Sequence, residues 1–214
     1  MKLRYLSIFA ASILCSVAAF AQAQDGPFQV RYASNLPIGD SVINITNAGG
    51  NVVTPVAGVN GAAVTIGNIC VNVYTFSPDE QLISCCSCPV TPNGLVSLSA
   101  RNDLISNTLT PGVPTSIVIK LLASPGLPTC NAAAPGGIAP AGLAAWGTTI
   151  HALPVTPGTP ATTFGVTETA FTNSTLSEAE FSRITQLCGF IQTNGSGFGI
   201  CKSCRFGGLA ATEQ

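Results

Sequence analysis

Three cysteines within four residues, in Ser84-Cys85-Cys86-Ser87-Cys88, are the densest chemistry in the chain, and a second pair, Cys201-Lys202-Ser203-Cys204, stands near its C-terminus. Five thiolates at these spacings could hold zinc or an iron–sulfur cluster, because Cys-x-x-Cys lets two sulfurs approach one ion. The Cys201/Cys204 pair could alternatively be a redox couple. Such couples normally open a helix inside a βαβ unit, which lowers the thiol pKa; this one follows a helical pattern and a glycine-rich segment. The third possibility is oxidation to disulfides, and here the compartment decides.

The N-terminus answers for the compartment. Lys2 and Arg4 precede an apolar stretch over 6–20, and two small-x-small sites follow, Ala19-Phe20-Ala21 and Ala21-Gln22-Ala23. This is the layout of a secretory signal peptide, read as residues 1–23 with cleavage after Ala23, or alternatively after Ala21. The apolar run is shorter than a membrane-spanning helix needs, and no transmembrane segment is expected in the mature chain. Cys15 is no lipidation site on this reading, since Leu14 stands where a small residue is wanted and the cysteine lies inside the apolar core. Of nine cysteines, eight remain: Cys70, Cys85, Cys86, Cys88, Cys130, Cys188, Cys201 and Cys204. An even number in an exported chain reads as a disulfide framework whose connectivity the sequence leaves open. That reading displaces metal and redox chemistry, so no metal and no cofactor is expected.

Other side chains offer less. His151 is the single histidine, which rules out a multi-histidine metal site; it sits in an alternating segment, and no Gly-x-Ser-x-Gly elbow accompanies it. Asp79, Glu80, Asp103, Glu168, Glu178 and Glu180 could supply a glycosidase-type acid/base pair, but a turn accounts for the first two and helix capping for the last two. Gly195-Ser196-Gly197-Phe198-Gly199 lacks the Lys-Ser/Thr of a phosphate loop. Lys120, flanked by apolar residues, reads as a snorkelling or edge-strand lysine, with an isopeptide link to an asparagine as the rarer use. Trp146 is the candidate for a ligand-binding aromatic surface. Loss of Lys2 and Arg4 leaves 6 basic against 9 acidic residues, net −3, with charged residues only 8% of the chain. No basic patch is present to match a phosphate backbone, so nucleic acid is excluded as a partner.

The elements that must position the cysteines are mostly strands. Residues 28–34 alternate, with Phe28, Val30 and Tyr32 on one face and Gln29, Arg31 and Ala33 on the other, as in a half-buried strand. Strands are also expected at 41–47, 52–56, 62–66 (a hairpin around Asn60-Gly61), 69–76, 81–87, 95–100, 113–122, 143–153 and 164–169. Residues 123–142, rich in Pro, Gly and Ala, read as an exposed loop tethered by Cys130. Ser177-x-x-Glu180 is a capping box, followed by Phe181, Ile184, Leu187, Cys188 and Ile191 at helical spacing; a helix over 178–192 should lie on the sheet and end at Asn194-Gly195.

Several phrases stand together: Asn44-Ile45-Thr46-Asn47, Asn68-Ile69-Cys70-Val71-Asn72-Val73-Tyr74, the segment from Glu80 to Cys88, Ala145-Trp146-Gly147-Thr148-Thr149-Ile150-His151 and Gly199-Ile200-Cys201-Lys202-Ser203-Cys204. With them the chain resembles a group of uncharacterised exported bacterial proteins that carry a signal peptide and the same cysteine layout. The resemblance implies export and a cysteine framework and adds no catalytic residue.

The expected architecture is all-β and sandwich-like, mostly antiparallel, of about eight to ten strands, as one domain over 24–214 with one C-terminal amphipathic helix and a disulfide-clasped tail at 195–214. The cysteine cluster should stitch the sheet towards the helix and tail on one side and towards the Cys130 loop on the other, with at least one of its three cysteines bonded to Cys188, Cys201 or Cys204. The function expected is that of a secreted or periplasmic, non-catalytic structural, adhesive or matrix-type protein that associates with itself or with an extracellular polymer. An extracellular carbohydrate- or ligand-binding module is the alternative, and a redox or metal protein using the cluster a further one.

Overall fold

The structure, a computed structural model, describes residues 26–50, 54–57, 63–126, 129–139, 141–153, 160, 162–202 and 204–206. The expected signal segment, the expected turn at Asn60-Gly61 and the end of the tail lie outside them. The strands are β1 (Phe28–Ala33), β2 (Val42–Asn47), β3 (Thr54–Ala57), β4 (Ala63–Ile66), β5 (Ile69–Phe76), β6 (Leu82–Val90), β7 (Leu95–Ser99), β8 (Ile117–Pro125), β9 (Leu143–Ala152), β10 (Phe164–Ala170), β11 (Thr172–Asn173) and β12 (Arg205–Phe206), with helix α1 at Glu178–Thr193. One five-stranded sheet runs β11-β1-β8-β5-β6, a second runs β10-β9-β2-β7-β12, and β3 and β4 pair as a separate hairpin. Every pairing between these strands is antiparallel. The fold is therefore the expected two-sheet, mostly antiparallel one with a C-terminal helix.

The helix makes it three layers deep. Ile43, Ile45, Val71, Val73, Val96, Leu98, Ile119 and Leu121 fill the space between the sheets. Phe28, Tyr74, Phe76, Cys85 and Leu122 form a second core with Ile184, Cys188 and Ile191 of α1. The first sheet is thus the middle layer, and all eight residues of β5 are buried. Each large apolar side chain so buried contributes about 1.5–3 kcal/mol.

A middle layer corrects the reading of β1. Its alternation marks which layer each side chain meets, not inside against outside. Tyr32, placed on the apolar face, is 59% exposed, while Gln29 and Arg31 on the polar-looking face are buried between the sheets. On β9, Trp146, Thr148 and Ile150 share the outer, half-exposed face, and the inner face is lined by the small residues Ala145, Gly147 and Thr149. The strand at 113–122 is displaced to Ile117–Pro125; Pro114, at the expected entry, has no N–H to donate to a ladder. After β7 the chain makes a π-helical turn, Ala100–Leu104, that the sequence pattern does not announce. Ser99 Oγ accepts from Asn102 N–H at 2.9 Å, and Asp103 Oδ2 accepts from Ser99 N–H at 2.6 Å.

The capping box is realised in half. Ser177 Oγ accepts from Glu180 N–H at 3.1 Å, but the Glu180 carboxylate turns to Lys120, its Oε1 lying 2.5 Å from Nζ. The same ammonium sits 4.6 Å above the Phe76 ring. Lys120 therefore ties the middle sheet to the helix and does not point to open solvent.

Tyr74 shows what burial in the second core does to a titratable group. Its hydroxyl donates to Ala132 O at 2.7 Å, holding down the loop after β8, and burial pushes its phenol well above the ordinary value. A phenol protonated longer when folded than when unfolded stabilises the fold in full below about pH 10 and progressively less as pH rises beyond that. Stability is accordingly expected to fall steeply above about pH 10. A Tyr74→Phe variant should lose about 1 kcal/mol at neutral pH and show a flatter alkaline decline. Urea unfolding of both proteins on either side of that pH checks the pair of outcomes; parallel declines would contradict it.

Candidate functional site

The cysteine cluster occupies β6, an edge strand of the middle sheet. Strand alternation sends Cys85 to one face and Cys86 and Cys88 to the other. In register, Cys85 lies opposite Tyr74 on the helix side, while Cys86 and Cys88 lie opposite Val73 and Val71 on the side facing the second sheet. Cys85 bonds Cys188 of α1, with Cα atoms 5.9 Å apart. Cys86 bonds Cys201 at 5.3 Å and Cys88 bonds Cys204 at 5.7 Å. All three cysteines of the cluster thus reach the helix or the tail, where at least one such link was expected.

The expected tie from the cluster to the Cys130 loop is not made. Cys130 bonds Cys70 on the neighbouring strand β5, Cα atoms 5.3 Å apart. The helix-side position on β6 is already taken by Cys188, and the chain leaving β8 at Pro125 turns back beside Cys70, which pairs with Ser124 in the ladder. Nor does either member of the adjacent pair look outward: Cys85 lies in the core under the helix and Cys86 packs against the core between the sheets.

The tail is woven in by its backbone as well. Cys85 N–H donates to Gly199 O at 2.8 Å and Cys201 N–H to Cys85 O at 3.2 Å, so residues 199–201 run beside β6. Gly199, at φ +80, is required there: a Cβ would meet Ile191 Cγ2 at 2.9 Å. The chain then crosses to the second sheet, where β12 pairs with β7. Cys201 and Cys204 sit at that crossing, so their bridges join the edges of the two sheets on this side of the sandwich.

This arrangement settles what the sulfurs are doing. Cys201 and Cys204 bond different partners and not each other, so the Cys-x-x-Cys is no redox couple in this state. All eight cysteines from Cys70 onwards are in bridges. Among the described residues no group of three or more His, Cys, Asp or Glu is placed to hold a metal ion.

The remaining candidates are dispersed. His151 lies at the exposed end of β9, its Nε2 2.8 Å from Thr167 Oγ1. Asp79 accepts from Ser77 and Gln81 in its turn. Trp146 lies on the outer face of the second sheet, opposite Asn44 and Ala170.

One buried polar group escaped the sequence pattern. Arg31, 6% exposed, reaches from β1 into the second sheet. It donates to Gly147 O at 2.7 Å and Thr149 Oγ1 at 2.8 Å through Nη2, and to Ser41 Oγ at 3.1 Å through Nη1. Nε lies 3.4 Å from Thr169 Oγ1. Gly147 leaves the room, because a Cβ there would stand 2.7 Å from Nη1. Burial pushes the guanidinium below its ordinary pKa, and Glu168 acts the other way. The signal was present in the chain: an arginine inside a strand and a glycine inside a facing strand, in a protein with few charges. Comparison with protein-family models, with curated proteins and with solved structures finds no match to this chain.

Proposed function

We propose that the chain is an exported, non-catalytic structural protein of adhesive or matrix type, acting outside the cytoplasm through association with itself or with an extracellular polymer. Four disulfides fit a stabilised extracellular or periplasmic protein. Among the described residues, no helix is long and apolar enough to cross a membrane. The observation that carries the reading is that the densest chemistry in the chain is consumed in cross-links between layers. A cluster that could have bound a metal or cycled electrons instead fastens β6 to the helix and to the tail.

The test is an intact-mass measurement on protein exported from the full chain, alkylated with and without prior reduction. The expected product starts after Ala23 or Ala21, carries no label before reduction and eight labels after it, and holds no metal. Free thiols or bound metal in the exported protein would overturn the reading in favour of redox or metal chemistry at the cluster.

A further inference from the structure

The two sheets have four edges, and three of them are blunted. β11 and β12 are two residues long. Along β6 the tail takes both backbone groups of Cys85, and Ile83 O accepts from Leu109 N–H. The fourth edge is β10, seven residues long, which among the described residues pairs with β9 alone and without a bulge. Phe164 is 46% and Val166 64% exposed. β10 contains no lysine, no proline and one charge, Glu168, so the usual defences of an edge strand are missing.

The backbone of β10 says what would fit it. Leu153 N–H donates to Thr163 O, and Phe171 N–H donates to Ala145 O. Odd-numbered residues of this segment therefore bond towards β9, and by alternation the N–H and C=O groups of Phe164, Val166, Glu168 and Ala170 point away from it. A row of outward donors and acceptors at this spacing is complementary to another strand.

We propose that the occupant is β10 of a second copy, paired antiparallel about a two-fold axis through Thr167. This rests on the structural reading above and gives it a partner. In that register Phe164 faces Ala170 and Val166 faces Glu168, so all four outward residues are used. Phe164 meets the small Ala170, and the one carboxylate does not face its symmetry mate. Residues keep their faces, and the five-stranded sheet continues across the seam into its copy. Among the described residues β10 is the one long open edge of the two five-stranded sheets, so the contact is self-complementary, closes at two copies and builds a dimer and not a filament.

Sedimentation velocity of the mature, fully oxidised protein is the test. The wild type is expected to show a concentration-dependent monomer–dimer equilibrium. Val166→Lys should be monomeric. So should Val166→Pro, which deletes only an outward N–H and leaves the ladder to β9 intact. Phe190→Lys, on the exposed face of the helix, should dimerise like the wild type. The mass shift on reduction and alkylation confirms that each variant keeps its four bridges. A monomeric wild type, open-ended assemblies, or a dimer that survives both Val166 substitutions would each overturn the proposal. None of these outcomes touches the intact-mass test of the structural reading.

Discussion

Replacing Cys70 and Cys130 together by alanine is expected to cost about 4 kcal/mol, more than the loss of any other single bridge. The ranking follows from loop closure in the unfolded chain. Cys70–Cys130 closes a loop of 60 residues by itself. Cys85–Cys188, Cys86–Cys201 and Cys88–Cys204 span 103, 115 and 116 residues, but they are neighbours at both ends. While one remains, removing another reopens only the short loop between adjacent anchors. For Cys85–Cys188 that loop is about a dozen residues, an entropy of about 3 kcal/mol; for the two tail bridges it is about five residues and about 2 kcal/mol. Loss of the buried Cys85–Cys188 sulfurs adds a packing term beneath α1. Guanidinium unfolding of the four double-alanine variants measures the order. Equal losses, or a larger loss from the tail bridges, would show that the neighbouring links do not share their loops in this way.

Substitution of Arg31 by methionine is expected to destabilise the fold by about 2–3 kcal/mol. The guanidinium joins the two sheets through acceptors on β9 and on Ser41, and a thioether of similar length fills its space without donating. Gly147 O keeps its ladder partner on β10, but it, Thr149 Oγ1 and Ser41 Oγ together lose the donor they share in the buried space between the sheets. Against this stands the relief of burying a cation without a carboxylate at salt-bridge distance, which holds the loss to the lower part of the range for buried charges. Arg31→Lys should lose nearly as much, because one ammonium cannot span a fork of acceptors on two strands. Denaturant midpoints of the three proteins decide it. A neutral or stabilising Arg31→Met would mean that the guanidinium is not kept for stability.

Where the chain follows one period against one neighbour, its structure is legible. Ile43 and Ile45, the run from Ile69 to Phe76, and the spacing Ile184, Cys188, Ile191 all lie where alternation or helical periodicity puts them. Export and cysteine parity imply bridges, and alternation along β6 separates Cys85 from Cys86 and Cys88. What alternation does not carry is the number of layers. A strand covered on both faces and one covered on a single face can show the same pattern, which is why Tyr32 and Arg31 exchange their expected environments. Nor does it carry pairing across the chain. That Cys130 meets Cys70 depends on where the loop after β8 comes to rest, a matter of tertiary packing with no local signature.

The placement of the cysteines also sets a timetable. On the proposed export route the chain emerges N-terminus first, so Cys70, Cys85, Cys86 and Cys88 would meet oxidant before Cys188, Cys201 and Cys204. The pairs available at that moment, Cys70 with any member of the cluster or Cys88 with Cys85 or Cys86, close short loops, yet none of them is native. Every one must be broken before the last stretch of chain can be accepted. On that route maturation is expected to run through thiol–disulfide reshuffling, and its yield to respond to an isomerase more than to an oxidase.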